Sequence, residues 1–439
     1  MLTAFARAFR TPDLRRKLLF TIAVMAIFRL GSFIPAPGVD YTNVRACVAD
    51  ADGAGLLGLI NTFSGGALLQ LSVFALGIMP YITASIIIQL LRVVIPRFEV
   101  LHKEGQAGQA KMTQYTRYLT IALAILQSTT VLTTARAGVL FPGCMHNVLS
   151  DTSLVTMVLL VITMTAGTGL IMWLGELITE RGVGNGMSLL IFTSIVAGFP
   201  GGLLSVARGD HGVRNIIVLV AVIVLVVGLV VYVEQSQRRI PVQYAKRMVG
   251  RKMYGGTSTY IPIKINMAGV IPVIFASSIL AVPTLVAQFG DTSLDENFQP
   301  NSPWVHWVMT NLAAQDAPLY IATYSLLILF FCFFYTSISF NPDEVSDNMK
   351  KYGGFVPGIR AGRPTAQYLQ FVSTRITTAG AIYLVLIALI PTLIVVFLGM
   401  SANLPFGGTS ILIMVGVGLE TVKQIDSQLQ QRHYEGFLK

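Results

Sequence analysis

Between Asp52 and Arg92 the chain runs through thirty-nine residues without a single Asp, Glu, Lys, Arg or His. As unbroken helix that stretch would reach on the order of 60 Å, about twice the hydrocarbon thickness of a bilayer, so one membrane span cannot use it all. Asn61, Ser64, Gly65, Gly66 and Gln70 weaken its first half, whereas Ser72 to Leu91 reads as an ordinary span. Two arrangements are open: a tight hairpin of two spans, or a half-helix that dips in from one side and returns, followed by one span.

Charge chooses between them, because cytoplasmic loops are enriched in Lys and Arg and each added span swaps the side of everything downstream. Counting 72–91, the apolar runs are 18–34, 72–91, 118–135, 152–175, 183–199, 215–233, 267–287, 317–340, 376–400 and 404–419, ten candidate spans in all. With a dip before the second span, 25 of the 31 Lys and Arg fall on the side of the N-terminus and four on the other, with Arg29 and Arg92 inside runs. With a hairpin instead, the basic N-terminus shares a side with only eight of them against 21 opposite. The dip is the better fit. It predicts a cytoplasmic N-terminus and C-terminus, cytoplasmic basic loops, and a glycine-containing half-helix entering from outside.

A chain of 439 residues that is 54% hydrophobic and 12% charged falls in the polytopic membrane class, with no soluble domain of any size. Arg29 lies inside the first span and Pro35-Ala-Pro-Gly38 follows it, so that span is expected to stay attached and not to be a cleaved signal peptide. The net charge of +10 is concentrated in the basic loops, where topology and anionic lipid account for it without invoking nucleic acid. Cys47 and Cys144 fall in external loops and could pair in an oxidising space, although the unpaired state is the expectation; Cys332 lies inside a span.

Five spans precede residue 205 and five follow it, and an odd number per half turns the second half upside down relative to the first. Such inverted repeats place a pathway at the interface of the halves, in transporters and channels alike. Two cytoplasmic loops, 234–264 and 341–375, carry Tyr244, Tyr254, Tyr260, Phe355, Pro357 and Gly358 among their cations. That mixture suggests shaped surfaces for a large cytoplasmic partner, against the plainer reading of solvated topology signals.

Catalytic patterns are not found. All five histidines lie in loops or the tail, Ser188 therefore has no base at membrane depth, and neither a P-loop nor metal-ligand spacing of His or Cys occurs. No catalytic residue, metal or cofactor is expected. An ion-coupled secondary transporter is the serious alternative, but such proteins keep ionisable groups near mid-membrane. Here Arg29 and Arg92 lie toward span ends, and Glu176, Glu180 and Glu234 sit at the cytoplasmic margin. A membrane scaffold without a pathway is a third reading.

Short stretches then carry a resemblance along nearly the whole chain: Phe28-Arg-Leu-Gly-Ser-Phe-Ile-Pro-Ala-Pro-Gly38, Phe63-Ser-Gly-Gly-Ala67, Ala75-Leu-Gly-Ile-Met-Pro-Tyr-Ile82, Lys111-Met-Thr-Gln-Tyr-Thr-Arg117, Gly175-Glu-Leu-Ile-Thr-Glu-Arg-Gly182, Gln237-Arg-Arg239, Asn266-Met-Ala-Gly-Val-Ile-Pro272, Phe340-Asn-Pro342 and Phe355-Val-Pro-Gly-Ile-Arg360. In this order and spacing they resemble the bacterial SecY family of protein-conducting channels. The resemblance implies an all-α clamshell of two inverted five-helix halves, 1–204 and 205–439, with a short re-entrant plug at about 56–71 that includes Phe63, Ser64, Gly65 and Gly66. It implies a pore ring at Ile78, Ile82, Ile191, Ile274 and Ile413, and a lateral gate between spans 2 and 3 and spans 7 and 8. Thr83, Gln89 and Gln127 are candidate polar contacts across that gate, with bonding inside their own helices as the alternative.

The function implied is the central subunit of the general secretory translocon in a bacterial plasma membrane, passing unfolded preproteins outward and membrane segments sideways into lipid. Implied partners are SecE-type and SecG-type small membrane subunits, the SecA motor ATPase, the ribosome, and signal peptides or nascent chains. Arg251, Lys252 and Arg360 match docking positions, with Ala361 standing where the family commonly has proline.

Overall fold

The computed structural model describes residue 9 and residues 11–50, 64–136, 148–149, 151, 153–208, 212–244, 247–249, 252–254, 258–288, 302–313, 317–398 and 408–435. A helix overlies each of the ten apolar runs: α1 (Pro12–Gly31), α3 (Met79–Val94), α5 (Gln106–Arg136), α6 (Leu154–Arg181), α7 (Gly186–Arg208), α8 (Gly212–Gln235), α9 (Ile271–Gln288), α11 (Pro318–Ser339), α13 (Arg363–Leu398) and α14 (Gly408–Glu435). Shorter helices lie between them: α2 (Tyr41–Asp50), α4 (Pro96–Lys103), α10 (Pro303–Val308, continued as a π turn to Ala313) and α12 (Pro342–Lys351). Among the described residues, five helical stretches are long and apolar enough to cross a membrane, and Met79–Arg92, Gly186–Pro200 and Ile271–Leu280 are shorter apolar helices.

Local chemistry explains the boundaries. Proline at the first positions of α1, α3, α10, α11 and α12 starts those helices where its missing N–H costs nothing. Asn341 accepts from the amides of Asp343 and Glu344 and so caps α12, whose last turn carries Lys350 and Lys351 against the helix dipole. Asp40 caps α2 in the same way, and the hydroxyl of Thr42 and the amide of Asn43 hold its carboxyl below the usual carboxylate range. Buried hydroxyls within α5, those of Thr116, Thr120 and Ser128, bond to carbonyls of their own helix, which lets polar residues sit in an apolar bundle without an unpaired donor.

The first group of long helices packs as α1 on α6 and α7, α3 on α5, α5 on α6, and α6 on α7. The second packs as α8 on α14, α9 on α11, α11 on α13, and α13 on α14. Between the groups, α7 packs on α8 and α14. The α6–α7 crossing is close enough that a Cβ at Gly186 would lie 1.8 Å from the carbonyl oxygen of Gly175, so only glycine fits there.

Three features depart from the sequence reading. The second span begins at Met79, not at Ser72: residues 64–71 and 73–78 form consecutive turns, with Leu71 at φ 45° and Gly77 at φ 56°, and Ser72 bridges to Pro35. Apolar composition alone could not distinguish buried turns from helix. The chain is also not wholly helical, because the basic loops fold into a sheet. Strand β1 (Gln237–Tyr244) pairs antiparallel with β4 (Ser258–Lys264) and with β5 (Gly354–Phe355), while β2 (Arg247–Val249) pairs with β3 (Lys252–Tyr254). Ile240, Val242 and Ile263 pack on Met349, Val356, Leu369 and Val372, so both loops share one small core. Third, Cys47 is fully buried and disulfide-bonded, against the expected unpaired state, whereas Cys332 is free; Cys144 lies outside the described residues. Cys47 stands on α2 in one apolar cluster with Ala36, Val44, Leu68 and Leu71, which holds its sulfur in one place.

Candidate functional site: an isoleucine constriction and the segment seated on it

Ile78 immediately precedes α3 and Ile82 lies in its first turn; Ile191 is on α7, Ile274 on α9 and Ile413 on α14. These residues, spread over 336 positions of sequence from 78 to 413, meet in one apolar cluster. Ile78 and Ile413 are almost wholly buried at 2% and 1%, Ile191 and Ile274 remain buried, and Ile82 is half-buried at its edge. Four different helices thus contribute branched aliphatic side chains to one spot. A cluster of this kind resists wetting and offers no hydrogen bond to anything passing through it.

The turns before α3 lie against this cluster. Phe74 belongs to it and stacks on Phe28 of α1 with ring centroids 5.9 Å apart. Ser64 is buried and its hydroxyl accepts from the amide of Leu68, tightening the chain that follows the Gly65-Gly66 pair. Gly65 adopts φ 68°, and a Cβ there would fall 3.2 Å from Cα of Ser194 on α7. Arg29 of α1 donates from Nη1 to the Gly65 carbonyl. Phe63 and residues 56–63 of the expected plug lie outside the described residues.

At the candidate gate, Thr83 donates to the carbonyl of Met79 and Gln89 to the hydroxyl of Ser85, each within α3. The bonds expected across the seam are therefore made inside one helix for these two, and Gln127 is half-buried on α5. Helices α3 and α9 share the isoleucine cluster without packing along their lengths. Among the candidate docking residues, Lys252 opens β3 and Arg360 is exposed on a loop whose ends are tied by Thr365 and Ser346; Arg251 lies outside the described residues. Sequence reasoning missed Arg29 as a partner of the Gly65 turn. The available signal was an arginine inside an apolar run, where an ionisable group needs a partner.

The arrangement defines a polytopic α-helical membrane protein of the protein-conducting-channel fold. The structure superposes on one described as a protein conducting channel at a TM-score of 0.60 and 18% identity, covering 93% of this chain and 91% of that one. A second, from work on the plug domain of the SecY protein, gives 0.60 and 19% over the same shares. The SecY family model matches residues 72–422. Protein translocase subunit SecY of Streptomyces galbus is 64% identical over 445 residues, and that of Mycobacterium bovis 57% over 447, each covering all of both chains. The chain belongs to the SecY family.

Proposed function

We propose that this chain is the central channel of a general secretory translocon, conducting unfolded preproteins across a bacterial plasma membrane and releasing apolar segments sideways into lipid. The observation that carries the reading is the meeting of Ile78, Ile82, Ile191, Ile274 and Ile413 in one cluster, with Val73 and Phe74 of the preceding turns packed into it and Gly65 set against Ser194 of α7. A gasket of branched aliphatic side chains can close around an extended chain of any sequence, because it grips none of its polar groups. A secondary transporter would need an ion-binding group there, and all five ring positions are isoleucine.

The halves 1–204 and 205–439 act as inverted repeats. In support, four of the five pairings among α1, α3, α5, α6 and α7 recur five spans later: α1–α7, α3–α5, α5–α6 and α6–α7 correspond to α8–α14, α9–α11, α11–α13 and α13–α14, while α1–α6 has no counterpart of that size. The gate opens between α3 and α9, where no cross-helix bond of Thr83 or Gln89 has to break. The excess of Lys and Arg orients both termini and the β1–β5 sheet to the cytoplasm. That sheet receives SecA or the ribosome through Arg251, Lys252 and Arg360, and SecE-type and SecG-type subunits complete the complex. The channel performs no chemistry itself; its partners supply the energy.

The test places single cysteines at Ile78, Ile191 and Ile413 and asks whether a stalled secretory chain crosslinks to them. Crosslinks at all three are expected. A chain that is exported yet touches none of them overturns the assignment.

A further inference from the structure

Arg29 occupies the last turn of α1, in a helix otherwise apolar from Leu18 onward. An arginine at that depth is costly unless its donors and charge are met. Its Nη1 donates to the Gly65 carbonyl, and its guanidinium lies over the Phe33 ring, 4.6 Å from the centroid. Among the described residues the side-chain ion pairs are Lys103–Glu99 and Arg117–Glu176, so the guanidinium is met by a carbonyl dipole and a π-face.

Gly65 is fitted to this contact. At φ 68° it presents its carbonyl to α1, and a Cβ would stand 3.1 Å from Arg29 Nη1 and 3.2 Å from Cα of Ser194. Gly66, at φ 90°, has nothing within 4 Å of its own would-be Cβ, so its need for glycine is a matter of the turn alone. Ser194 follows Ile191 on α7 by one turn, so Gly65 packs against the helix that carries part of the constriction while its carbonyl accepts from Arg29 of α1.

We infer that Arg29 is the latch of the plug: its charge-assisted hydrogen bond to the Gly65 carbonyl holds the segment on the constriction and sets how readily the idle channel opens. This rests on the channel reading above. When the segment leaves, the guanidinium loses its acceptor, and the backbone carbonyls of an extended passenger are acceptors of the same kind. Exchange of one carbonyl for another lets the latch release without stranding a charge in the vestibule.

The experiment measures ion conductance of the idle channel in planar bilayers, reconstituted with its partner subunits, for Arg29→Met, Arg29→Lys, Gly65→Ala and the Arg29→Met/Gly65→Ala double variant. Loss of one hydrogen bond to a charged group corresponds to about a tenfold to hundredfold rise in open probability. Arg29→Met should show it, Arg29→Lys should recover part of it by keeping charge and a donor, and the double variant should open no more than either single one, because both attack one contact. Wild-type leak in Arg29→Met, or multiplied effects in the double variant, overturns the latch. If Arg29→Met does not accumulate in the membrane, Gly65→Ala decides, with unchanged conductance refuting it. Crosslinking of a stalled passenger to Ile191 in the wild-type background is read in parallel: its presence with an unresponsive Arg29→Met fails the latch alone, and its absence fails the channel reading.

Discussion

Arg117 on α5 holds Glu176 on α6 in a fork, Nε to Oε1 at 2.8 Å and Nη2 to Oε2 at 2.7 Å. The pair lines a cavity of about 370 Å³ with Met172, Trp173, Leu177 and Glu180, toward the N-terminal end of α5 and the C-terminal end of α6. The side chains are 47% and 19% exposed, so solvent screens the pair and its coupling is about 1 kcal/mol. Arg117→Glu and Glu176→Arg should each lower the thermal stability of the purified channel, and the double exchange should recover part of the loss. A double-mutant cycle on melting temperature in lipid nanodiscs measures this coupling directly.

Replacing Ile78, Ile191 and Ile413 together by glycine should raise the ion conductance of the idle channel well above that of any single replacement, since the remaining isoleucines still close the gap a single loss leaves. Wetting is the physical event, so the leak should pass small cations and anions alike. Bilayer recording with salt gradients reads both quantities. A triple variant that is present at normal levels and does not leak removes the sealing role of the cluster.

Cys47 gives a chemical count. The chain holds three cysteines, of which Cys332 is free and buried. Unfolded without reductant, the protein should expose one reactive thiol; after reduction it should expose three. Cys47 is packed in one cluster with Leu68 and Leu71, so Cys47→Ser should also loosen the turns at 64–71. Mass spectrometry of maleimide-labelled protein provides the count, and three thiols without reductant would contradict the bonded state.

The sheet that joins the basic loops permits a separation of docking from sealing. Val242 is 1% exposed, and Val242→Asp would bury a carboxylate among Met349, Val356 and Leu369, costing about 3 kcal/mol or more of local stability. Binding of ribosomes or SecA in a sedimentation assay should fall at least tenfold while the idle channel stays closed. Loss of the seal together with docking would mean that the sheet supports the whole bundle.

The spans were legible because runs of Ile, Leu, Val and Phe of the right length leave little choice of structure. The start of α3 was not, since the turns 73–78 are as apolar as a helix and only the backbone angle of Gly77 marks them. The sheet had a signal that went unread: Gln237 to Tyr244 alternates, with Ile240 and Val242 inward. The isoleucine cluster was accessible through family motifs alone, because an isoleucine in a membrane helix looks like any other until four helices converge. The Arg29–Gly65 contact joins positions 36 apart: an arginine inside an apolar run announces that a partner is needed, but not that the partner is the Gly65 carbonyl.

The pairing of β1 with β5 through Gln243 with Phe355 and Tyr244 with Gly354 has a mechanical consequence. Because β1 continues directly from α8 and β5 leads into α13, a load applied at either basic loop is divided between two spans before it reaches the bilayer. A push on one loop therefore turns α8 and α13 together instead of bending either alone.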